Sequence, residues 1–444
     1  MTTEVRNNDR ALREKPRELN AKEGGVCSPS PFLRTPRTVV FGSERQLPQA
    51  ASGRLTQRRS SDKKELPLMA STLLFAVCIY AVVFLSTAID AVKQGEKFGF
   101  DRHKRQVYKG VYATEPGNDT VKYRFNSSVN KTMKDLFVEA TEVWQNGTCL
   151  DFKEDSAEQG PGFDGIFVTM GPDGGVCNTA SPITGRNHTI YLGINCETAS
   201  GIAHEIGHAL GLPHTQIRLD RDDYITINEE IMSKEFDKMM EHEYYDDYTE
   251  DDKAELFKLY KLQYKKMNKS EQVNYTVPYD LGSLMQYSYS AVMMPKDTKY
   301  NTTMGSQFAS FLDKVLVNEH YNCTGKCGTE GQEIKCEYKG FVDPKTCDKC
   351  VCPGGYGGKL CNDRPDECGE EIWIRGTETI TKSFYISGNN GKYVTCTSWL
   401  RSDSFTTIIV KLVRISGGPK NSIGCDSAGI EIKTKNDQRL TGYR

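Results

Sequence analysis

Residues 204–214 read His-Glu-Ile-Gly-His-Ala-Leu-Gly-Leu-Pro-His. On a helix, His204 and His208 stand four apart and share one face, so both imidazoles reach one metal ion. Glu205 lies beside them, placed to take and return a proton. Gly211 suits the left-handed backbone that ends a helix and reverses the chain, which brings His214 back as a third nitrogen donor. Three protein ligands leave a position open for water, the layout of a catalytic rather than a structural zinc site. One Zn2+ per chain is the expected cofactor. Of seven histidines in 444 residues, three fall in this motif, more than a helix with scattered surface histidines would need.

These groups need a frame. Met133, Leu136, Phe137, Ala140, Val143 and Trp144 recur at helical spacing within 131–146, a stripe for a core. Gly165–Met170 and Thr189–Gly193 read as strands, and the second is expected to take substrate as an added β-strand. Ile202, Ala203, Ile206 and Leu210 give the motif helix an apolar face towards that sheet. Strands and two long helices around one site predict an α+β domain.

The motif resembles that of the metzincins, zinc endopeptidases named for a methionine turn below the metal. Ser283-Leu-Met-Gln-Tyr287 fits that turn, and a tyrosine two places after Met285 is similar to the astacin family, as are Arg218-Leu-Asp-Arg-Asp-Asp-Tyr224 and Pro278-Tyr-Asp280. The resemblance implies a two-subdomain catalytic domain over 106–323, with the active-site helix under a mixed sheet. It also implies zinc ligands His204, His208, His214 and, at rest, Tyr287, which would swing to bond the oxyanion during catalysis. Met285 is assigned a structural role as an apolar floor. Implied disulfides are Cys149–Cys323 and Cys177–Cys196. Three departures stand out. Thr215 replaces the glutamate that usually anchors the freed N-terminus of the mature enzyme. Gln286 stands where histidine is common. The latency motif is reduced to Phe98-Gly-Phe-Asp101, with Asp101 as the expected ligand.

The rest of the chain sets the compartment. Residues 1–65 carry 14 Lys/Arg against 8 Asp/Glu and show no sustained periodicity, so they read as a disordered basic extension. The remainder is acidic overall, which excludes a nucleic-acid partner. Residues 66–89 hold no charged side chain and are long enough to span a bilayer. The basic flank before them predicts a cytoplasmic N-terminus and a type II precursor. Translation from Met69 would instead make this run a signal peptide. Both routes export the rest, in keeping with nine Asn-X-Ser/Thr sites, all after residue 100, and 13 of 15 cysteines after residue 148. Arg102-His-Lys-Arg105 predicts cleavage between Arg105 and Gln106 by a furin-like protease, with 90–105 as a short propeptide.

Cys327, Cys336, Cys347, Cys350, Cys352 and Cys361 are similar to an EGF-like module over 324–362. That pattern implies Cys327–Cys347, Cys336–Cys350 and Cys352–Cys361. Short β-like runs over 366–444, with Cys368 and Cys396 as a pair, resemble an incomplete CUB sandwich, which leaves Cys425 over. Residues 229–252 hold 11 acidic and 2 basic side chains, a solvated insertion or an exosite for basic substrates. The function these features predict is a secreted zinc endopeptidase acting on extracellular proteins. The alternative is an extracellular binding or adhesion protein built on an inactive protease domain.

Overall fold

The computed structural model describes residues 2–8, 37–42, 107, 110–115 and 117–444, apart from 156–162, 172–176, 181–184, 194–195, 242–244, 268–276, 387–392, 404–405, 417–422 and 426–427. The apolar run 66–89, the propeptide with Asp101, and the Arg105–Gln106 bond lie outside the described residues. Among the described residues no helix is long and apolar enough to cross a membrane.

Two strands, β1 (Thr2–Asn8) and β2 (Arg37–Gly42), come from the stretch whose composition predicts disorder. They pair far along the chain, as described below. The frame of the site starts at β3 (Thr120–Phe125) and α1 (Lys131–Gln145). Asn130 caps α1 by accepting from the Met133 N–H, and Met133, Phe137, Ala140 and Trp144 are buried on one side as their spacing predicts. Then come β4 (Asp151–Glu154), β5 (Gly165–Met170), β6 (Asn178–Ala180) and β7 (Asn187–Leu192). The sheet order is β4-β3-β5-β7-β6, parallel except for β6, which runs antiparallel to β7. The motif helix α2 (Ala199–Ala209) packs below, and the Trp144 indole donates to the Ala203 carbonyl at 2.8 Å, locking α1 to α2.

The structure corrects one expectation here. Sequence alone assigns substrate to the strand at 189–193, yet β7 is hydrogen-bonded on both sides, by β5 and β6. Among the described strands, β6 is the edge beside the motif helix. The sequence shows 189–193 as a strand but cannot show the three-residue strand that covers its flank.

Beyond the motif lie β8 (Ile225–Ile227), α3 (Glu229–Met240), α4 (Glu250–Leu262), β9 (Met293–Pro295) and α5 (Phe311–His320). β8 pairs with β9. Helices α3 and α4 are the acidic insertion, joined by Phe236 against Phe257 and Tyr260. Disulfide Cys149–Cys323 ties the chain after α5 to that after α1, and Cys177–Cys196 links β6 to α2. His188 and His320 are buried and bond the backbone carbonyls of Tyr112 and Val111 through Nε2 at 3.0 and 2.8 Å.

Burial pushes the pKa of both histidines down to about 4. In the unfolded chain they take up protons near pH 6.5, whereas in the fold they do not until about 4. Stability is therefore lost as pH falls through that window, each histidine contributing on the order of 3 kcal/mol. Buried Asp313, raised to about 6, works oppositely: it loses stability as pH rises from its unfolded value towards 6. His320→Gln keeps a donor for Val111 but removes one titration. Its Tm should fall less than that of the wild type between pH 7 and 5; an unchanged slope would reject the assignment.

Residues 327–361 form a small module joined by Cys327–Cys347, Cys336–Cys350 and Cys352–Cys361, with the two-stranded ribbon β10 (Phe341–Val342) and β11 (Cys350–Val351). After it come β12 (Glu371–Ile374), β13 (Thr379–Ser383), β14 (Cys396–Ser402), β15 (Thr407–Arg414) and β16 (Gly429–Ile432), with Cys368–Cys396. Here the basic extension departs from expectation. β1 lies between β13 and β15, and β2 between β14 and β16. A strand of this kind gains its hydrogen bonds only from partners hundreds of residues away, so local periodicity gives no sign of it.

Candidate metal centre

Helix α2 starts at Thr198, whose side chain accepts from the Gly201 N–H, and ends where Gly211 takes φ +93°. The Gly211 and Leu212 N–H groups donate back to His208 and Gly207. A Cβ at Gly211 would sit 3.0 Å from both the Val111 carbonyl and His320 Nε2, so glycine is required by conformation and by space. The turn delivers His214. One ring nitrogen from each of His204, His208 and His214 lies within 4.8 Å of the others, a group that could hold a metal ion.

The donor set fits a cation. His204 Nδ1 bonds the Leu284 carbonyl at 2.8 Å and His208 Nδ1 bonds the Leu212 carbonyl at 2.8 Å. With each Nδ1 donating, each Nε2 presents a lone pair. Both lone pairs point at His214 Nε2, at 3.2 and 3.1 Å. One proton on that nitrogen would satisfy one of them only, whereas a metal ion satisfies all three.

Glu205 is buried between α2 and β6, and the Thr179 hydroxyl donates to its Oε2 at 2.7 Å. Thr179 is a site residue that sequence reasoning missed. It lies on a strand too short for alternation to reveal, and the one local hint is Cys177, two residues before it and bonded to Cys196.

Met285 is buried beneath α2, with its sulfur 2.6 Å from where a Cβ on Gly207 would stand. The Met285 carbonyl accepts from the Thr215 N–H at 2.9 Å. Thr215 and Gln286 have roles of their own. Thr215 Oγ1 donates to Ser283 Oγ, which donates to the buried carboxylate of Asp313 at 2.6 Å. Gln286 accepts from the Tyr279 hydroxyl at 2.6 Å.

The Tyr287 ring lies 4.3 Å from that of His214, and its hydroxyl donates to Gln263 Oε1 at 3.3 Å. Gln263 follows the last turn of α4, so the helix that begins in the acidic stretch ends beside the metal centre. Charge counting along 229–252 does not reveal that contact.

The family model described as Astacin, a peptidase family, matches residues 113–253 and 245–322. The chain is 33% identical over 374 residues to zinc metalloproteinase nas-31 of Caenorhabditis elegans, covering 81% of this chain and 55% of that one. It is 31% identical over 388 residues to zinc metalloproteinase nas-25 of the same organism, covering 83% and 89%. Among solved structures, high choriolytic enzyme 1, a hatching enzyme zinc-protease of the medaka Oryzias latipes, aligns at 21% identity over 48% of this chain and 95% of that chain, with a TM-score of 0.36. The chain spans about half the length of nas-31 and nas-32, 55% and 50%. With the three-histidine centre and the methionine turn in place, the chain belongs to the astacin family of peptidases, whose metalloproteases are zinc-dependent.

Proposed function

We propose that this chain is a zinc endopeptidase that hydrolyses peptide bonds in extracellular proteins. The observation that carries the reading is the convergence of three imidazoles, two of them anchored to backbone carbonyls, beside a buried carboxylate that is itself held by Thr179. Bound zinc supplies Lewis acidity to a water and to the scissile carbonyl. Glu205 takes the proton from that water and delivers it to the leaving amine. Tyr287 bonds the oxyanion, for which a phenol is a suitable donor because charge develops on that oxygen. Its hydroxyl proton is held by Gln263 Oε1, a bond that must break before that proton can be offered to the oxyanion, while the phenol oxygen's lone pairs stay available for the expected resting ligation. Edge strand β6 is the surface that an extended substrate would join, which favours cleavage within chains over trimming of ends.

Export, glycosylation, maturation at Arg105–Gln106 by a furin-like protease, and the EGF-like and CUB identities of 324–362 and 366–444 belong to the same reading. Their support is the sequons, the basic cluster and the cysteine spacing. An anchor over 66–89 would leave β1 and β2 across the membrane from their partner strands, and initiation at Met69 would leave them untranslated. The exported enzyme is thus proposed to carry its C-terminal strands without them.

The test uses the secreted chain: bound zinc, then cleavage of a denatured protein mixture with the new N-termini sequenced, with and without a zinc chelator. Chelator-sensitive internal cleavage is expected. Bound zinc without cleavage would favour the binding-protein alternative.

A further inference from the structure

The last residues of the chain bridge β16, where Tyr443 exchanges both backbone bonds with Ile432, and the metal-bearing half of the domain. Tyr443 is buried in a cluster with Ile225, Tyr279, Leu281, Tyr300 and Met304, and its hydroxyl donates to Asp297 at 2.8 Å. Thr303 Oγ1 donates to the Gly442 carbonyl and accepts from the Arg444 N–H. Arg444 reaches Ser306 at 2.6 Å and Glu431 at 2.9 Å. The contact that matters most is at Asp280, a carboxylate buried to 3% exposure. It accepts from the Thr441 hydroxyl at 3.0 Å, from the Thr441 N–H at 3.2 Å and from the Gly282 N–H at 3.1 Å.

Asp280 opens the turn that carries Met285. The Ser283 N–H donates to the Asp280 carbonyl, and the carbonyl of Leu284, the residue after Ser283, accepts from His204 Nδ1 at 2.8 Å. At Gly282 a Cβ would stand 2.3–2.5 Å from Thr441 side-chain atoms, so glycine is what allows Thr441 to approach the turn. On its other side the turn is held by α5, where Asp313 accepts from the Leu284 N–H at 2.9 Å. A buried carboxylate that loses a hydroxyl donor pays for desolvation without compensation and moves towards other donors.

We infer that Thr441 is a positioning residue for the metal centre: through Asp280 it fixes the methionine turn, and through the Leu284 carbonyl it orients the His204 imidazole. The sandwich then contributes to zinc affinity at a distance, and a catalytic domain cut off at the small disulfide module is an incomplete enzyme. This rests on the zinc reading above.

The test is the zinc dissociation constant of the full chain, measured by competition with a chromophoric chelator, which needs no peptide cleavage. Thr441→Val keeps the shape and removes the hydroxyl. It should weaken zinc binding roughly tenfold, the lower end of what loss of an outer-shell partner costs. Thr441→Ser should restore affinity to within about twofold of wild type, and Ile408→Val, which truncates the apolar cluster shared by β12, β14, β15 and β16, should lower Tm with zinc affinity unchanged. Equal loss of affinity in Thr441→Val and Ile408→Val would show general destabilisation and overturn the inference, as would an unchanged constant in Thr441→Val. A wild-type chain that binds no zinc would sink the metal reading itself.

Discussion

Glu205→Gln should lower kcat/KM by about 10²–10⁴, the usual contribution of a positioned general acid–base, while zinc content and Tm stay at wild-type values. Glutamine has the shape of glutamate and keeps a carbonyl oxygen for the Thr179 hydroxyl, which reaches Glu205 Oε2 at 2.7 Å. It cannot accept the proton of the attacking water. The measurement is peptide hydrolysis at substrate concentrations below KM, with metal content determined on the same samples. Retention of more than a tenth of wild-type activity would remove Glu205 from the mechanism. Loss of zinc from the variant would mean that the carboxylate supports the metal site rather than the chemistry.

What can be read from the sequence divides by distance along the chain. The helix carrying His204 and His208, its end at Gly211 and the return of His214 depend on eleven consecutive residues, so spacing alone specifies them. Helix α1 is legible for the same reason, since its apolar stripe and its Asn130 cap are local. The methionine turn needs the family resemblance, because nothing within Ser283–Tyr287 says that it folds under a helix eighty residues earlier. Thr179, Gln263 and the Leu284 carbonyl are not legible at all. Each acts on a site residue 24 to 80 positions away through one hydrogen bond, which leaves no periodic trace. The same holds for Thr441, 161 residues from Asp280, and for the strands β1 and β2. Assigning substrate to 189–193 fails for a related reason. Local pattern marks a strand without saying what pairs with it, and a strand bonded on both sides has no free edge to offer.

Gly207→Ala should destabilise the protein by about 1–3 kcal/mol, the usual cost of overpacking a core, although helix propensity alone argues the opposite. In a helix interior alanine is favoured over glycine by roughly 0.5–1 kcal/mol, so an exposed Gly207 would make the substitution stabilising. Gly207 is buried, and an added methyl would lie 2.6 Å from the Met285 sulfur and 3.0 Å from the Trp144 ring. Trp144 cannot withdraw, because its indole is fixed to the Ala203 carbonyl and the ring is fully buried. Met285 is the softer neighbour, but it too is buried, and moving it shifts the turn whose Leu284 carbonyl orients His204. The variant should therefore lose zinc affinity along with stability. A double-mutant cycle identifies the cause. Met285→Ala alone should cost about 2–5 kcal/mol through the cavity it leaves. In the double variant the new methyl occupies part of that cavity, so the two losses should sum to more than the measured total. Simple additivity would mean that Gly207 and Met285 do not meet, and that the methionine is not the floor of this metal centre.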